Sequence, residues 1–168
     1  MTVRYVWRGN ATYYSSVVDH YYRQLPILVR LRTQAVLIWI VLTGAASVAD
    51  FDVPTRFAVL GLISAFGLAY PYLAKRAIVF KYRLRPTFGE ETSFELTEKE
   101  VVVKGPGAGR FPWTVYDRAI QFTDGILLAR RGGIRWLPES ALTNGTTGEA
   151  LAIVQKHLPV RDLVGKHG

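Results

Sequence analysis

The chain's three imidazoles are His20, His157 and His167, and chemistry at any of them would need a hydroxyl, a carboxylate or a second imidazole within reach. None stands at ligand spacing from another His or from an Asp/Glu pair, so all three are expected to be structural. The absence of cysteine excludes disulfides, thiolate nucleophiles and Cys-ligated metals. Asp50 and Asp52 form an Asp-X-Asp that could hold a divalent cation loosely, but a solvated turn is the simpler reading. The glycines of KGPGAGR suggest a phosphate loop, which requires a helix start after it and usually a Lys followed by Ser or Thr. Here Arg110-Phe111-Pro112-Trp113 follows and reads as a strand, so the glycines are expected in a hairpin loop. Neither a catalytic residue nor a metal or cofactor is expected, and the chain is read as a non-enzyme. Arg110, Arg118, Arg130, Arg131 and Arg135 remain as expected contacts to a protein partner or a lipid surface, while Trp113 and Trp136 read as buried packing.

The elements that carry these residues divide sharply by composition. From Thr33 to Ala49 and again from Phe57 to Ala74 no side chain is charged at neutral pH. Each run is roughly 17 to 18 residues, near the lower limit for crossing a hydrocarbon layer of about 30 Å. A core helix of a small soluble domain keeps a polar stripe, and neither run shows a charge at any phase of the helical period. A transmembrane hairpin over 33–76 is therefore predicted. Gly44, Gly61 and Gly67, with nearby alanines, would allow close helix approach and association with a second copy of the chain.

Lys and Arg gather at the outer flanks of the hairpin. Arg23, Arg30 and Arg32 precede it, while Lys75, Arg76, Lys81, Arg83 and Arg85 follow it; the connector holds only Arg56, beside Asp50 and Asp52. By the positive-inside rule both termini are assigned to the cytoplasm. Arg30, Arg32, Lys75, Arg76, Lys81, Arg83 and Arg85 become the expected contacts to an anionic inner leaflet, with 77–91 a basic juxtamembrane connector whose pattern also suits a helix extension. The net charge of +8 is consistent with this. Nucleic acid is not expected as a partner, because the cations are pinned beside the spans and lack a stacking surface. The start, MTVRYVWRGNATYY, lacks the basic-then-apolar order of a cleavable signal, so the first span is expected to be retained.

Beyond the connector the pattern changes to short alternating segments. Phe94 and Leu96 alternate with polar neighbours, and Val101 and Val103 do the same after a turn at Thr97 to Glu100. Further strands are predicted at GRFPW, YDRAIQFT, GILLARR and GIRWLP, with turns at Gly105-Pro106-Gly107, Asp124-Gly125 and Gly132-Gly133. A last helix carries Leu151, Ile153, Val154 and Leu158 on one side, with Thr147 as the expected cap and Pro159 as the stop. At the other end TVRYVWR alternates like a strand, expected at an edge of this sheet, and ATYYSSVVDHYYRQL reads as a helix.

The sheet closed by one C-terminal helix has the outline of a pleckstrin-homology-like (PH-like) barrel. The order of two close spans, a basic exit, FELTEKEVVVKG, PWTVYDRAI, GILLARRGGIRWLPESAL and GEALAIVQKHLP resembles the YcxB-like family of bacterial membrane proteins, from roughly Tyr13 to Pro159. The resemblance implies a membrane α+β chain, a two-helix transmembrane hairpin followed by a small antiparallel PH-like β-barrel or sheet capped by a C-terminal helix. The expected division is 1–32 N-terminal strand and helix, 33–76 hairpin, 77–91 connector, 92–159 PH-like domain and 160–168 tail. It implies residence in the bacterial inner membrane and a binding or scaffolding role toward a protein partner or the inner leaflet; the alternative is a subunit of an oligomeric membrane enzyme or transporter. In PH-like domains that bind phosphoinositides, cations around the first hairpin grip the headgroup. The turn matched to it here, TEKE, is more acidic than basic.

Overall fold

A computed structural model describes residues 2–26, 30–131 and 133–164; Gly132 of the expected Gly-Gly turn and the tail from 165, with His167, lie outside the described residues. Strand β1 (Thr2–Arg8) leads into helix α1 (Ala11–Gln24), and the apolar runs form α2 (Leu31–Val48) and α3 (Val53–Arg83). The strands β2 (Glu91–Thr97), β3 (Glu100–Lys104), β4 (Gly109–Pro112), β5 (Tyr116–Phe122), β6 (Gly125–Arg130), β7 (Gly133–Pro138) and β8 (Leu142–Asn144) follow. Helix α4 (Thr147–His157) and the short strand β9 (Val160–Asp162) end the described chain.

Two sheets are built, one in the order β4-β3-β2-β1-β8 and one in the order β7-β6-β5-β9. Among the described residues no ladder joins them, so the expected barrel does not close. The second sheet is also mixed rather than antiparallel, because β9 pairs parallel to β5. Period-two alternation sets the inner faces: Phe94, Leu96 and Val101 are fully buried, and they meet Val3 and Tyr5 of β1 and Ile153 and Val154 of α4 in one core. The cap of α4 is Thr146, not the expected Thr147. Its hydroxyl takes the Glu149 N–H while the Glu149 carboxylate takes the Thr146 N–H, and a capping box requires that three-residue offset.

Strand β1 does not lie at an edge, as expected, but inside its sheet, between β2 and β8. It pairs with β2 over its whole length, from Thr2 opposite Thr97 to Arg8 opposite Glu91. Everything from Gly9 to Glu90 is thus an insertion between two neighbouring strands. Gly105 permits the close approach of the β3–β4 loop to the start of β2: its φ is +98°, and a Cβ there would run into the Glu91 carbonyl oxygen.

Helices α2 and α3 are both long and apolar enough to cross a membrane. They lie together with Trp39 over Gly67, where a Cβ would come 3.2 Å from the ring, and the indole N–H donates to Ser64 Oγ at 3.2 Å. Their outer faces carry exposed Val41, Phe57, Leu62 and Leu68. Arg56 turns back and donates to the carbonyls of Ala49, the C-cap of α2, and of Phe51 in the connector. Helix α3 starts at Val53, before the uncharged run, because Asp52 accepts from Thr55 N–H and Pro54 suits the first turn.

Candidate functional site

The insertion leaves the sheet through a narrow neck. Gly9 N–H donates to Glu90 O at 3.1 Å and Gly89 N–H to Gly9 O at 3.0 Å, so the outgoing and returning chains are tied at one point. From the neck α1 and the last turns of α3 run side by side. Lys75 Nζ reaches Asp19 at 2.7 Å, Tyr14 stacks on Tyr82 with centroids 4.3 Å apart, and Val79 is buried between them. In this two-helix stalk the first part of the expected 77–91 connector is thus a helix extension, one of the two forms its pattern suits; helix bonds continue through Lys75 to Arg83, where the segment packs on α1.

The seven cations expected at a lipid surface therefore fall into two groups. Arg30 donates to the carbonyls of Leu25 and Arg23 and so caps α1, Lys75 is paired with Asp19, and Arg85 lies 4.6 Å over the Tyr82 ring. Arg32, Arg76, Lys81 and Arg83 make no ion pair among the described residues. Of the five arginines singled out in the sheet region, Arg110 is paired with Glu100 at 3.1 Å and Arg118 is exposed on β5. Arg130 and Arg131 share an open cleft of about 470 Å³ with Thr114 and Asp117. Arg135 does not line that cleft but lies near Gly107, and its charge partly offsets the upward push that burial gives the phenols of Tyr13 and Tyr14. The first hairpin of the sheet is also not TEKE, which joins β2 to β3. The first connection is the inserted stalk and hairpin.

Sequence reasoning missed a second cavity, of about 610 Å³, between the end of β1, α1, the β5–β6 turn and the 3-10 turn after β7. Trp7, Tyr13 and Trp136 supply its aromatic wall, and Ser16, Asp124 and Glu139 its polar one. Beside it His20 is almost fully buried, stacked on Trp136 at 3.8 Å and edge-on to Phe122. Its Nε2 lies 2.9 Å from Asp124 Oδ1, and its Nδ1 lies 2.7 Å from the Ser16 carbonyl and 3.3 Å from Ser16 Oγ.

A serine, a histidine and an aspartate in contact invite a hydrolytic reading, but the geometry opposes it. The Ser16 carbonyl and the Asp124 carboxylate only accept, so the two ring contacts are both made only when both ring nitrogens carry hydrogen, and in that form neither nitrogen is a base for the Ser16 hydroxyl. The ring is a clamp that holds α1 against the second sheet. Tyr13 adds a further tie, donating from its hydroxyl to the Trp136 carbonyl at 2.9 Å. The Ser16–His20 spacing of one helical turn is visible in the sequence, whereas Asp124 is 104 residues away. Two fully buried groups near this junction, the Tyr5 hydroxyl and the Trp136 indole N–H, have no hydrogen-bond partner among the described residues. Burial, then the charge of Glu139, pushes Tyr5 up to about 12.

No protein-family model, curated protein or solved structure matches the chain.

Proposed function

We propose that the chain is a membrane-anchored binding or scaffolding module of a bacterial inner membrane, with both termini and the β-domain in the cytoplasm. One observation carries the reading: β1 pairs residue for residue with β2, although two helices fit to span a membrane lie between them. Strands in one sheet share one compartment, so the hairpin must go out and return, whichever side that is. The cations support the cytoplasmic side, since only Arg56 stands in the connector and its guanidinium is turned back toward the end of α2.

The two-sheet, one-helix outline supports a PH-like module of the YcxB-like kind, its stalk and hairpin filling the link between the first two strands. Its work is recognition of a protein partner or the lipid surface beside the stalk. The cavity between α1 and the β5–β6 turn is the concave surface of the right size for a small ligand or side chain.

The native chain has no cysteine, so single cysteines report topology without background. In intact spheroplasts a membrane-impermeant maleimide is expected to label Asp50→Cys, and to label Thr2→Cys and Ser140→Cys only after lysis. Labelling of Thr2→Cys from outside would refute the assignment.

A further inference from the structure

We infer that the outward face of α3 beyond Pro71 is a docking surface for anionic phospholipid headgroups, so that the stalk lies partly in the headgroup layer. This rests on the reading that α2 and α3 span a bilayer. It deepens that reading by naming the surface and the partner.

The sides of the segment are unlike. Lys75 and Tyr82 face α1, where Asp19 and Tyr14 are their partners, and Val79 between them in sequence is buried. A second face, turned by about 120° round the helix at about 100° per residue, carries Leu73, Arg76, Phe80, Arg83 and Leu84. Leu73, Phe80 and Leu84 are 54%, 57% and 70% exposed. Arg76 and Arg83 have no ion pair among the described residues. Apolar side chains flanked by unpaired guanidiniums match an interface that is apolar below and negative above.

Height agrees with this. Counted from Phe57, a hydrocarbon layer of about 30 Å takes about 20 residues at about 1.5 Å each, reaching the neighbourhood of Ala77. Phe80 then stands about 5 Å and Arg83 about 9 Å beyond that boundary, while the headgroup layer on each side is about 5–7 Å thick. A modest lean of the segment brings the whole stripe into it. Pro71, inside α3, supplies the place for that lean, because its missing N–H removes the bond to the Gly67 carbonyl. Leaning on this face puts α1 on the side away from lipid, where the neck and both sheets attach.

Nitroxides at Phe80→Cys and Leu84→Cys test this in the full chain, with Leu62→Cys as the reference inside the span. The chain is reconstituted in phosphatidylcholine vesicles with and without phosphatidylglycerol, and collisions with oxygen and with a water-soluble nickel chelate are compared. Both stripe labels are expected to become shielded from nickel when phosphatidylglycerol is present. Arg76→Gln and Arg83→Gln should each lower the ratio of shielded to open stalk by roughly fivefold. Equal nickel access with and without phosphatidylglycerol, while Leu62→Cys stays in lipid, overturns this inference alone. Nickel access at Leu62→Cys overturns the spanning reading as well. Shielding that ignores phosphatidylglycerol and grows with protein density assigns the face to a second copy of the chain and also overturns the inference.

Discussion

Replacing Tyr5 by Phe should make the protein more stable, although Tyr5 is a wholly buried residue on an inner strand of the larger sheet. The ring packs opposite Phe94 and Leu142, and Phe keeps that packing. The hydroxyl has no partner among the described residues, and leaving a buried polar group unsatisfied costs about 1–3 kcal/mol. Tyr5→Phe is therefore expected to gain about 1–2 kcal/mol at neutral pH. Alkaline pH widens the gap in a direction set by linkage. The folded phenol is pushed up to about 12 from 10.0, so above pH 10 the folded state holds a proton that the unfolded chain has given up. Stability tied to Tyr5 is complete below 10 and falls as pH rises toward 12. At pH 11 this loss amounts to about 1.3 kcal/mol, and its ceiling is about 2.7 kcal/mol. Urea unfolding of the full-length protein in detergent, followed by near-ultraviolet circular dichroism from pH 7 to 11, measures both effects. A Phe variant at least 1 kcal/mol less stable than the parent at pH 7 would show that the hydroxyl is bonded and that the reasoning is wrong; about 1 kcal/mol is the typical net worth of such a bond.

Gly67→Leu should lower the thermal midpoint in detergent, because the new side chain displaces Trp39 and breaks its bond to Ser64. Gly61→Leu has nothing within 4 Å and should leave that midpoint unchanged; a loss of oligomer on gel filtration would instead reveal a second copy at that face. His20→Ala removes the stack on Trp136 and both ring bonds, and is expected to cost about 2–4 kcal/mol. Amide exchange at the β5–β6 turn should speed up in the same variant, and unchanged exchange there would show that the clamp does not hold the turn.

Local rules made the β-domain's inner face legible and left its partners dark. Phe94, Leu96, Val101 and Val103 were readable because strand geometry turns a period of two into burial. The hairpin was readable from missing charge alone. The end of α3 was readable only as a choice between a connector and a helix extension, because charge marks where a segment leaves an apolar environment, whereas the helix goes on as long as its backbone bonds and one packed face hold. The partner of β1 was hidden for another reason: Val3 and Tyr5 announce a buried face but carry no signal for pairing with a strand beginning beyond residue 90. His20 shows the same limit, since its Ser16 contact follows from helical spacing and its Asp124 contact from nothing local.

The insertion raises a question of closure that the stalk answers. Joining β1 to β2 through about 80 flexible residues would cost about 2–3 kcal/mol more than joining them through a four-residue turn. The chain is not flexible over that length. Helices α2 and α3 pack against each other, and α1 lies along the last turns of α3 with Tyr14 on Tyr82 and Asp19 on Lys75. Those contacts hold Gly9 beside Gly89, so the closure to be made is that of the short neck. Packing of the stalk and pairing of β1 are thus one cooperative event, and a force that parts α1 from α3 acts on the sheet through β1. The His20 clamp ties the same helix to the second sheet, so displacement of α1 reaches both sheets at once.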